Sequence, residues 1–319
     1  MSAQVARIRI ATRRSRLARW QTDHVAARLR AAHPGLAVEI VEVVTKGDEV
    51  RDRALSAIGE RGLFTRELER VLLAGRADIA VHSLKDMETT LPAGLELLAV
   101  PARVDPSDAL VSRSGAGLAA LPAAALVGTS SIRRRAQLLA VRPGLRFDDL
   151  RGNVPTRLEK LAAGEGGLDA IVLARAGLER LGFLDRVTEV ISAEVIVPAV
   201  GQGALGIEGP AAGERVRALV APLEHPATRI AVTAERAFLR RLHGGCQVPA
   251  GALARVEGNE IVLSGVVAAL DGRSLFRDRV VGPPADPEGL GTGLAETLLA
   301  RGADRILAQV EAAFRTGTP

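Results

Sequence analysis

Residues 126–140, LVGTSSIRRRAQLLA, contain the features from which the fold of the chain can be predicted. A short apolar strand, Leu126 to Gly128, opens onto a turn of hydroxyl and arginine side chains, and a helix follows. The same order of strand, turn and helix occurs in residues 8–20, IRIATRRSRLARW. The buried strands predicted at 78–81 (DIAV) and 169–172 (DAIV) also resemble each other. We therefore predict two α/β domains of similar build.

Composition shifts place the domain boundaries. Residues 101–107 turn polar and proline-bearing, which is typical of a crossover, and the glycine-rich Val200 to Gly203 indicates a return hinge. We predict a first α/β domain of residues 1–101 plus 199–221 and a second of residues 105–197. Residues 224–319 form a smaller α+β domain with three strands and one long C-terminal helix. Ligands of such α/β sheets bind beyond the carboxyl ends of the strands, so the first two domains should face a shared cleft.

Two local predictions concern the first domain. The helix after Ser15 should place Leu17, Trp20, His24 and Leu29 near one face. The polar stretch from Thr45 to Gly62 is long for a connection, which is typical of a functional lid or a disordered segment.

The composition excludes several classes of protein. The chain has a formal charge of +5 but only 2% aromatic residues, with one tryptophan and no tyrosine, so it lacks the aromatic faces on which single-stranded nucleic acids stack. The first residues lack the apolar run of a signal peptide, and no stretch of 18 apolar residues could span a membrane. With a single cysteine, the protein is expected to be cytoplasmic and free of intrachain disulfides.

Arginine dominates the basic residues, because only Lys46, Lys85 and Lys160 are lysine. Codon bias is one explanation, and guanidinium recognition of carboxylates or phosphates is the other. Position favours the second explanation for a group of arginines at or just after strand ends: Arg13, Arg14, Arg133, Arg134, Arg151, Arg157 and Arg180. Ser15, Ser130 and Ser131 lie in the same turns and can cap helices or donate hydrogen bonds. No phosphate loop, no dinucleotide motif and no metal-ligand spacing occurs. We predict a cleft that binds several carboxylates or phosphates.

Two further residues indicate chemistry. Asp86 lies beside Lys85 at the end of a predicted buried strand, where an acid either caps the next turn or transfers protons. Cys246 is the chain's one cysteine and lies in the loop HGGCQVPAG, residues 243–251. A lone cysteine is often a small buried hydrophobe, but a loop of small residues leaves the thiol accessible for covalent attachment. Thiol, acid and cationic cleft together suggest the condensation of a small acidic monomer onto a tethered primer.

Six collinear stretches closely resemble the hydroxymethylbilane synthase (porphobilinogen deaminase) family. They are IATRRSRLARWQ, VHSLKDM, VGTSSIRRRAQLL, RGNVPTRL, PAVGQGALGIE and ERAFLRRLHGGCQVPAGALA. The resemblance implies an enzyme that polymerises four porphobilinogen molecules head to tail and releases ammonia each time. It also implies a dipyrromethane cofactor, held by a thioether to Cys246. The fold implied has three domains, the first two like two-lobed anion receptors with doubly wound sheets, the third with a three-stranded antiparallel sheet. A monomer is expected.

The resemblance also assigns roles to residues. Asp86 would be the catalytic acid and base. The cofactor carboxylates would be held by Lys85, Ser131, Arg133 and Arg134. The substrate would be bound by Arg13, Ser15, Arg151, Arg157 and Arg180.

The chain departs from the family pattern in places. In the lid, Ala57, Glu60 and Arg61 replace a lysine, a glycine and a second lysine, while Glu88 and His243 stand where a proline and an acid are common. Two alternatives to the enzyme are a two-lobed carboxylate-binding protein without catalysis, which would need neither Cys246 nor Asp86, and a nucleic-acid binder driven by positive charge.

Overall fold

A computed structural model describes residues 6–45, 65–243 and 248–316. The strands are β1 Arg7–Arg13, β2 Ala37–Val43, β3 Ile79–Ser83, β4 Leu95–Ala99, β5 Asp108–Ser112, β6 Leu126–Gly128, β7 Arg146–Asp148, β8 Ala170–Ala174, β9 Glu189–Ile191, β10 Leu205–Pro210, β11 Ala250–Glu257, β12 Glu260–Ala268 and β13 Leu275–Gly282. The α-helices are α1 Arg16–Ala32, α2 Arg66–Leu73, α3 Ile132–Val141, α4 Val154–Ala162, α5 Arg175–Arg180, α6 Glu214–Val220, α7 Pro226–Arg241, α8 Pro287–Leu298 and α9 Asp304–Thr316.

The first lobe is built on the sheet β2-β1-β3-β10-β4. Strand β1 runs parallel to both neighbours, so the carboxyl ends of β1 and β3 lie at the same edge. Ile8 and Ile10 of β1 are fully buried against Val25 and Leu29 of α1. Apolar residues that alternate along the strand and recur along the helix thus fix how α1 packs on the sheet.

The second lobe repeats this arrangement in the sheet β7-β6-β8-β5-β9. Strand β6 is parallel to β7 and β8, as β1 is to β2 and β3. Each sheet also contains one reversed strand in the equivalent place. Strand β10 is antiparallel to β3 and β4, and β5 is antiparallel to β8 and β9. The prediction of two similar α/β units is confirmed, although the reversed strands were not foreseen.

Two crossovers connect the lobes: the outgoing crossover, residues 100–107, precedes β5, and the return crossover, residues 192–204, precedes β10. Each reversed strand thus follows a crossover, and the two crossovers are in contact. The backbone N–H of Val104 donates to the carbonyl of Gly203 at 3.3 Å. Gly203 has φ +87°, and a Cβ there would lie 2.5 Å from the carbonyl oxygen of Val104. Both the left-handed backbone and the close approach require glycine at this position.

The C-terminal unit is an antiparallel sheet, β11-β12-β13, covered by α7 and α8. Phe238 of α7 is completely buried with Leu263 and Leu294. The prediction of one long C-terminal helix was wrong. Helices α8 and α9 are separated by the segment Leu299–Ala303, because Gly302 adopts φ 110° and interrupts the helical path. In the described part of the chain, no helix is long and apolar enough to cross a membrane.

The face of α1 that packs on the sheet also differs from the prediction. Helix α1 buries Ala18, Gln21, Thr22, Val25, Ala26 and Leu29. Trp20 is 37% exposed, and its ring stacks on that of His24 with centroids 5.1 Å apart. Only Leu29 of the predicted set is fully buried, since the buried face of the helix is rotated and includes the polar residues Gln21 and Thr22.

Candidate functional site

Asp86 lies where β3 ends and a single 3-10 turn, Leu84–Asp86, begins. Arg13, at the end of β1, and Ser15, just after it, line the same small pocket as Asp86. The parallel pairing of β1 and β3 brings these three residues to one edge of the sheet. The structure therefore brings together the predicted acid with two of the predicted substrate-binding residues.

The hydroxyl groups of the two turns act mainly as helix caps. Ser15 Oγ accepts from the N–H of Ala18 at 3.3 Å, and Ser131 Oγ accepts from the N–H of Arg134 at 3.4 Å. Ser130 Oγ donates to the carbonyl of Leu150 at 3.0 Å. The bonds of Ser15 and Ser131 satisfy N–H groups that the first turn of a helix leaves unpaired, and the bond of Ser130 ties its turn to the end of β7 and the residues after it.

Arg133 and Arg134 are buried and share one carboxylate, Asp108 of β5. Arg133 donates to Asp108 Oδ2 at 2.8 Å, and Arg134 donates to Oδ1 at 2.7 Å and 2.9 Å. Asp108 is fully buried, and the two guanidinium groups hold the pKa of that carboxyl far below its usual range, although burial alone would raise it. The predicted cofactor arginines thus have an internal counterion that sequence reasoning missed.

Gln202 connects this buried cluster to Lys85. Its amide nitrogen donates to Asp108 Oδ1 at 3.0 Å, and its amide oxygen accepts from Lys85 Nζ at 3.3 Å. Burial lowers the pKa of Lys85 to about 8, and the positive charges of Arg134 and Arg133 act in the same direction, while Asp86 and Asp108 oppose them. The negative charge around Lys85 is therefore not enough to offset the cost of burying its ammonium group.

Arg151 and Arg157 extend the excess of positive charge. Arg151 Nη1 is buried without a hydrogen-bond partner among the described residues. Arg157 Nε donates to the carbonyl of Gly152 at 2.7 Å. Burial, together with the positive charges of Arg134 and Arg151, lowers the pKa of Arg157 to about 10. Cations that are partly withdrawn from water without a counterion are costly, so this region is suited to an anionic ligand.

The two remaining arginines differ. Arg180 is 7% exposed and donates to the carbonyl of Gly203 at 2.7 Å, and burial lowers its pKa to about 10. Arg14 is exposed and lies 3.7 Å from Glu42 in a surface ion pair. Arg14 therefore belongs to the solvated surface rather than to the cleft.

A buried histidine and two carboxylates lie beneath the Asp86 pocket. His82, which the sequence shows without a nearby partner, lies with Nε2 3.0 Å from Glu208 Oε2 on β10. Burial raises the pKa of the nearby Glu69, and the charge of Glu208 adds to this effect. His82 also lines the Asp86 pocket. Within the described residues, no group of three or more His, Cys, Asp or Glu side chains could hold a metal ion.

Several predicted residues lie outside the described residues. They are Cys246 and the lid residues Ala57, Glu60 and Arg61. The two described ends of the cysteine loop are nevertheless informative. The N–H of Ala252 in β11 donates to the carbonyl of Pro198 at 3.1 Å, and His243 after α7 has φ 53°. The C-terminal end of the loop therefore lies beside the return crossover.

Two α/β lobes of matching strand order, with arginines near the ends of β1 and β6 and Asp86 in a pocket at the end of β3, form an arrangement that can accept the carboxylates of a small ligand. Two family models match the chain: "Porphobilinogen deaminase, dipyromethane cofactor binding domain" over residues 8–218, and "Porphobilinogen deaminase, C-terminal domain" over residues 229–300. The chain belongs to the porphobilinogen deaminase family.

Curated relatives agree over nearly the full length. A porphobilinogen deaminase from Roseiflexus castenholzii is 53% identical, covering 94% of this chain and 98% of the relative. One from Moorella thermoacetica is 54% identical, covering 96% and 97%. Among solved structures, a putative lipoprotein from Actinomyces odontolyticus aligns with a TM-score of 0.42 at 14% identity, over 68% of this chain and 88% of that chain.

Proposed function

We propose that this chain polymerises four porphobilinogen molecules into the linear tetrapyrrole hydroxymethylbilane, with Asp86 as the catalytic acid and base. The observation that carries this proposal is the pocket in which Asp86, Arg13 and Ser15 meet at the carboxyl ends of β1 and β3. A carrier protein for carboxylates would need the cations but has no use for an acid placed among them.

Asp86 has the chemistry that each addition requires. Ammonia must leave the aminomethyl group of the substrate, the resulting electron-poor pyrrole must be stabilised, and a ring proton must be lost. One carboxyl group near the pyrrole nitrogen can supply a proton, offset positive charge and accept a proton in turn.

The cofactor of this family is a dipyrromethane, and the residues present fit it. When bound, the dipyrromethane supplies the primer onto which the first monomer is added. Its carboxylates would be held by Lys85, Ser131, Arg133 and Arg134. The fit rests on charge. Burial and the charges of Arg134 and Arg133 lower the pKa of Lys85, and a bound carboxylate would counteract this lowering.

Cys246 would carry this cofactor through a thioether. Support comes from the described ends of its loop, because β11 begins against Pro198 of the return crossover. Gly251 packs so closely there that a Cβ would lie 2.5 Å from the carbonyl oxygen of Val197. The same carbonyl accepts a hydrogen bond from Arg133 at 2.8 Å. The described C-terminal end of the cysteine loop, at Gly251, thus packs next to a residue proposed to hold the cofactor.

The substrate carboxylates would be bound by a second set of residues. Each porphobilinogen brings an acetate and a propionate, so a growing chain needs several cations. We assign this role to Arg13, Ser15, Arg151, Arg157 and Arg180. The buried, unpartnered Nη1 of Arg151 among the described residues supports it.

The organisation of the molecule is part of the proposal. We propose domains of residues 1–101 plus 199–221, of residues 105–197 and of residues 224–319. We further propose that the protein is a cytoplasmic monomer that binds no nucleic acid. Sedimentation of the purified protein and fractionation of the host cell would test these assignments.

Mixing the purified protein with porphobilinogen tests the function. Ammonia and an oxidisable linear tetrapyrrole should form together, and a binding protein would yield neither. Under denaturing conditions, the intact mass should exceed the sequence mass by two pyrrole units. Cys246→Ser should lose both the added mass and the activity. An active protein with the mass of the bare polypeptide would refute the assignment of Cys246.

A further inference from the structure

Helix α1 presents an aromatic pair to the second lobe. Trp20 and His24 are one helical turn apart, and their rings are nearly parallel, with an interplanar angle of 7° and centroids 5.1 Å apart. Stacking of this kind restricts the rotation of both side chains. A rigid ring face therefore stands at the edge of the first lobe, although Trp20 is 37% exposed.

The guanidinium of Arg180 lies over this ring face. Its Cζ is 5.9 Å from the centroid of Trp20, within the range of a cation–π contact. On its other side, the Nη2 group donates to the carbonyl of Gly203 in the return crossover. Arg180 belongs to α5 of the second lobe, so its position is defined by groups outside its own lobe.

Neither contact neutralises the charge of Arg180. A ring face and a backbone carbonyl orient a guanidinium but carry no net negative charge. The neighbouring Glu179 pairs with Arg175 at 2.9 Å. A guanidinium has five N–H donors, and within the described residues Arg180 makes one hydrogen bond. The arrangement holds the group still and leaves donors for a ligand.

We propose that Trp20, braced by His24, is a positioning residue that aims the Arg180 guanidinium at a substrate carboxylate. This inference rests on the proposed substrate-binding role of Arg180. A simpler alternative is that Trp20 and Arg180 only fasten the two lobes together. The two ideas differ in outcome, because a fastener affects stability alone, whereas a positioning residue affects substrate binding through Arg180.

Variants of the holoenzyme distinguish the positioning role of Trp20 from a role in fastening the lobes alone. Trp20→Leu keeps an apolar side chain but removes the ring face, so KM for porphobilinogen should rise about 2- to 30-fold, the range of a cation–π contact. The kcat should stay within about twofold, because a carboxylate held equally in substrate and transition state contributes to binding only. Trp20→Phe, which retains a weaker ring face, should give a smaller rise. Val190→Ala, at an exposed apolar residue of β9, is the control and should leave KM unchanged.

A double variant provides the decisive comparison. Once Arg180→Leu has removed the guanidinium, adding Trp20→Leu should raise KM no further, because Trp20 acts through Arg180. An equal rise in both backgrounds would overturn the proposal, as would a lower melting temperature of Trp20→Leu with an unchanged KM. If Arg180→Leu alone leaves KM unchanged, the role of Arg180 is wrong. If the wild-type protein forms no tetrapyrrole, the proposed function itself fails.

Discussion

At the scale of single residues, Asp86 is expected to dominate the chemistry. Asp86→Asn keeps the shape of the side chain but removes its charge and its exchangeable proton. Turnover should fall about 100- to 10,000-fold, the usual cost of losing a positioned acid and base. Asp86→Glu should retain part of the activity. Ammonia release measured under saturating porphobilinogen checks both variants.

The matched control is Asp185→Asn, the same change at an exposed position in the second lobe. It should turn over like the wild type. Near-normal turnover of Asp86→Asn would leave the mechanism without its acid.

Arg133 and Arg13 should respond differently to the same substitution. Arg133→Leu removes one of the two guanidinium groups on the buried Asp108, so the free energy of unfolding should fall by about 3 kcal/mol and cofactor assembly should suffer. Arg13→Leu should lower it by less than about 1 kcal/mol, keep the cofactor and block elongation. Urea unfolding and intact mass measure these effects. Equal stability of the two variants would contradict the structural role of Arg133.

In the cofactor-free protein, Lys85 should make carboxylate binding weaker and the folded state more stable as the pH rises. Its pKa is lowered to about 8 in the folded protein, so its positive charge, and with it the capture of carboxylates, should be lost as pH rises through 8. Between about pH 8 and the ordinary pKa of lysine, the unfolded chain binds a proton that the folded one does not. The contribution of Lys85 to stability therefore rises with pH in this window.

Lys85→Met, which cannot titrate, should remove both effects. Urea unfolding and cofactor assembly from porphobilinogen, each measured on either side of pH 8, provide the comparison. If Lys85→Met showed the same change in unfolding and cofactor assembly across pH 8 as the wild type, Lys85 would not be the source of that change.

Residue types at the site could be predicted from the sequence, but their partners could not. Asp86, Arg13 and Ser15 follow strands whose carboxyl ends meet, so their proximity follows from strand order alone. The pairing of Arg133 and Arg134 with Asp108 depends on β5 lying reversed beside β8, which no local pattern encodes. His82 and Glu208 are 126 positions apart and meet only because β10 returns to the first sheet.

At the scale of elements, the return crossover should tolerate little change at Gly203. Gly203→Ala should lower the free energy of unfolding by about 1–2 kcal/mol from the left-handed backbone alone, and the clash with Val104 should add to this. Gly75→Ala is the matched control, because Gly75 has φ +64° but nothing lies within 4 Å of an added Cβ. It should show the backbone cost only. Equal losses in the two variants would mean that the crossovers separate easily.

The sequence predicts most elements well where the apolar period is clear. Strands β1, β3, β6 and β8 lie close to where their alternation or apolar runs place them. The C-terminal helix was predicted as one element because its apolar pattern continues across Gly302, and only the backbone angle of that residue reveals the break. The face of α1 was misjudged because Trp20 and His24 were placed on the same face as the buried Leu29, whereas they form an exposed stack.

At the scale of the whole molecule, one buried carboxylate connects all three parts. Glu235 of α7 accepts from Arg103 in the outgoing crossover, from the N–H of Gly201 in the return crossover at 2.7 Å, and from the N–H of Ala254 in β11 at 2.9 Å. It is fully buried, so each of these bonds is shielded from water. The C-terminal unit is thereby tied to both crossovers between the lobes.

Trp20 gives this molecule an optical signal of its own. The chain has one tryptophan and no tyrosine, so its near-ultraviolet fluorescence comes almost entirely from a single indole. That indole lies at the border of the lobes, 5.9 Å from the Arg180 guanidinium. Stopped-flow emission from unlabelled holoenzyme should therefore change as porphobilinogen carboxylates reach Arg180, in up to four successive phases. A flat trace during active turnover would show that this border keeps its structure and charge while the chain grows.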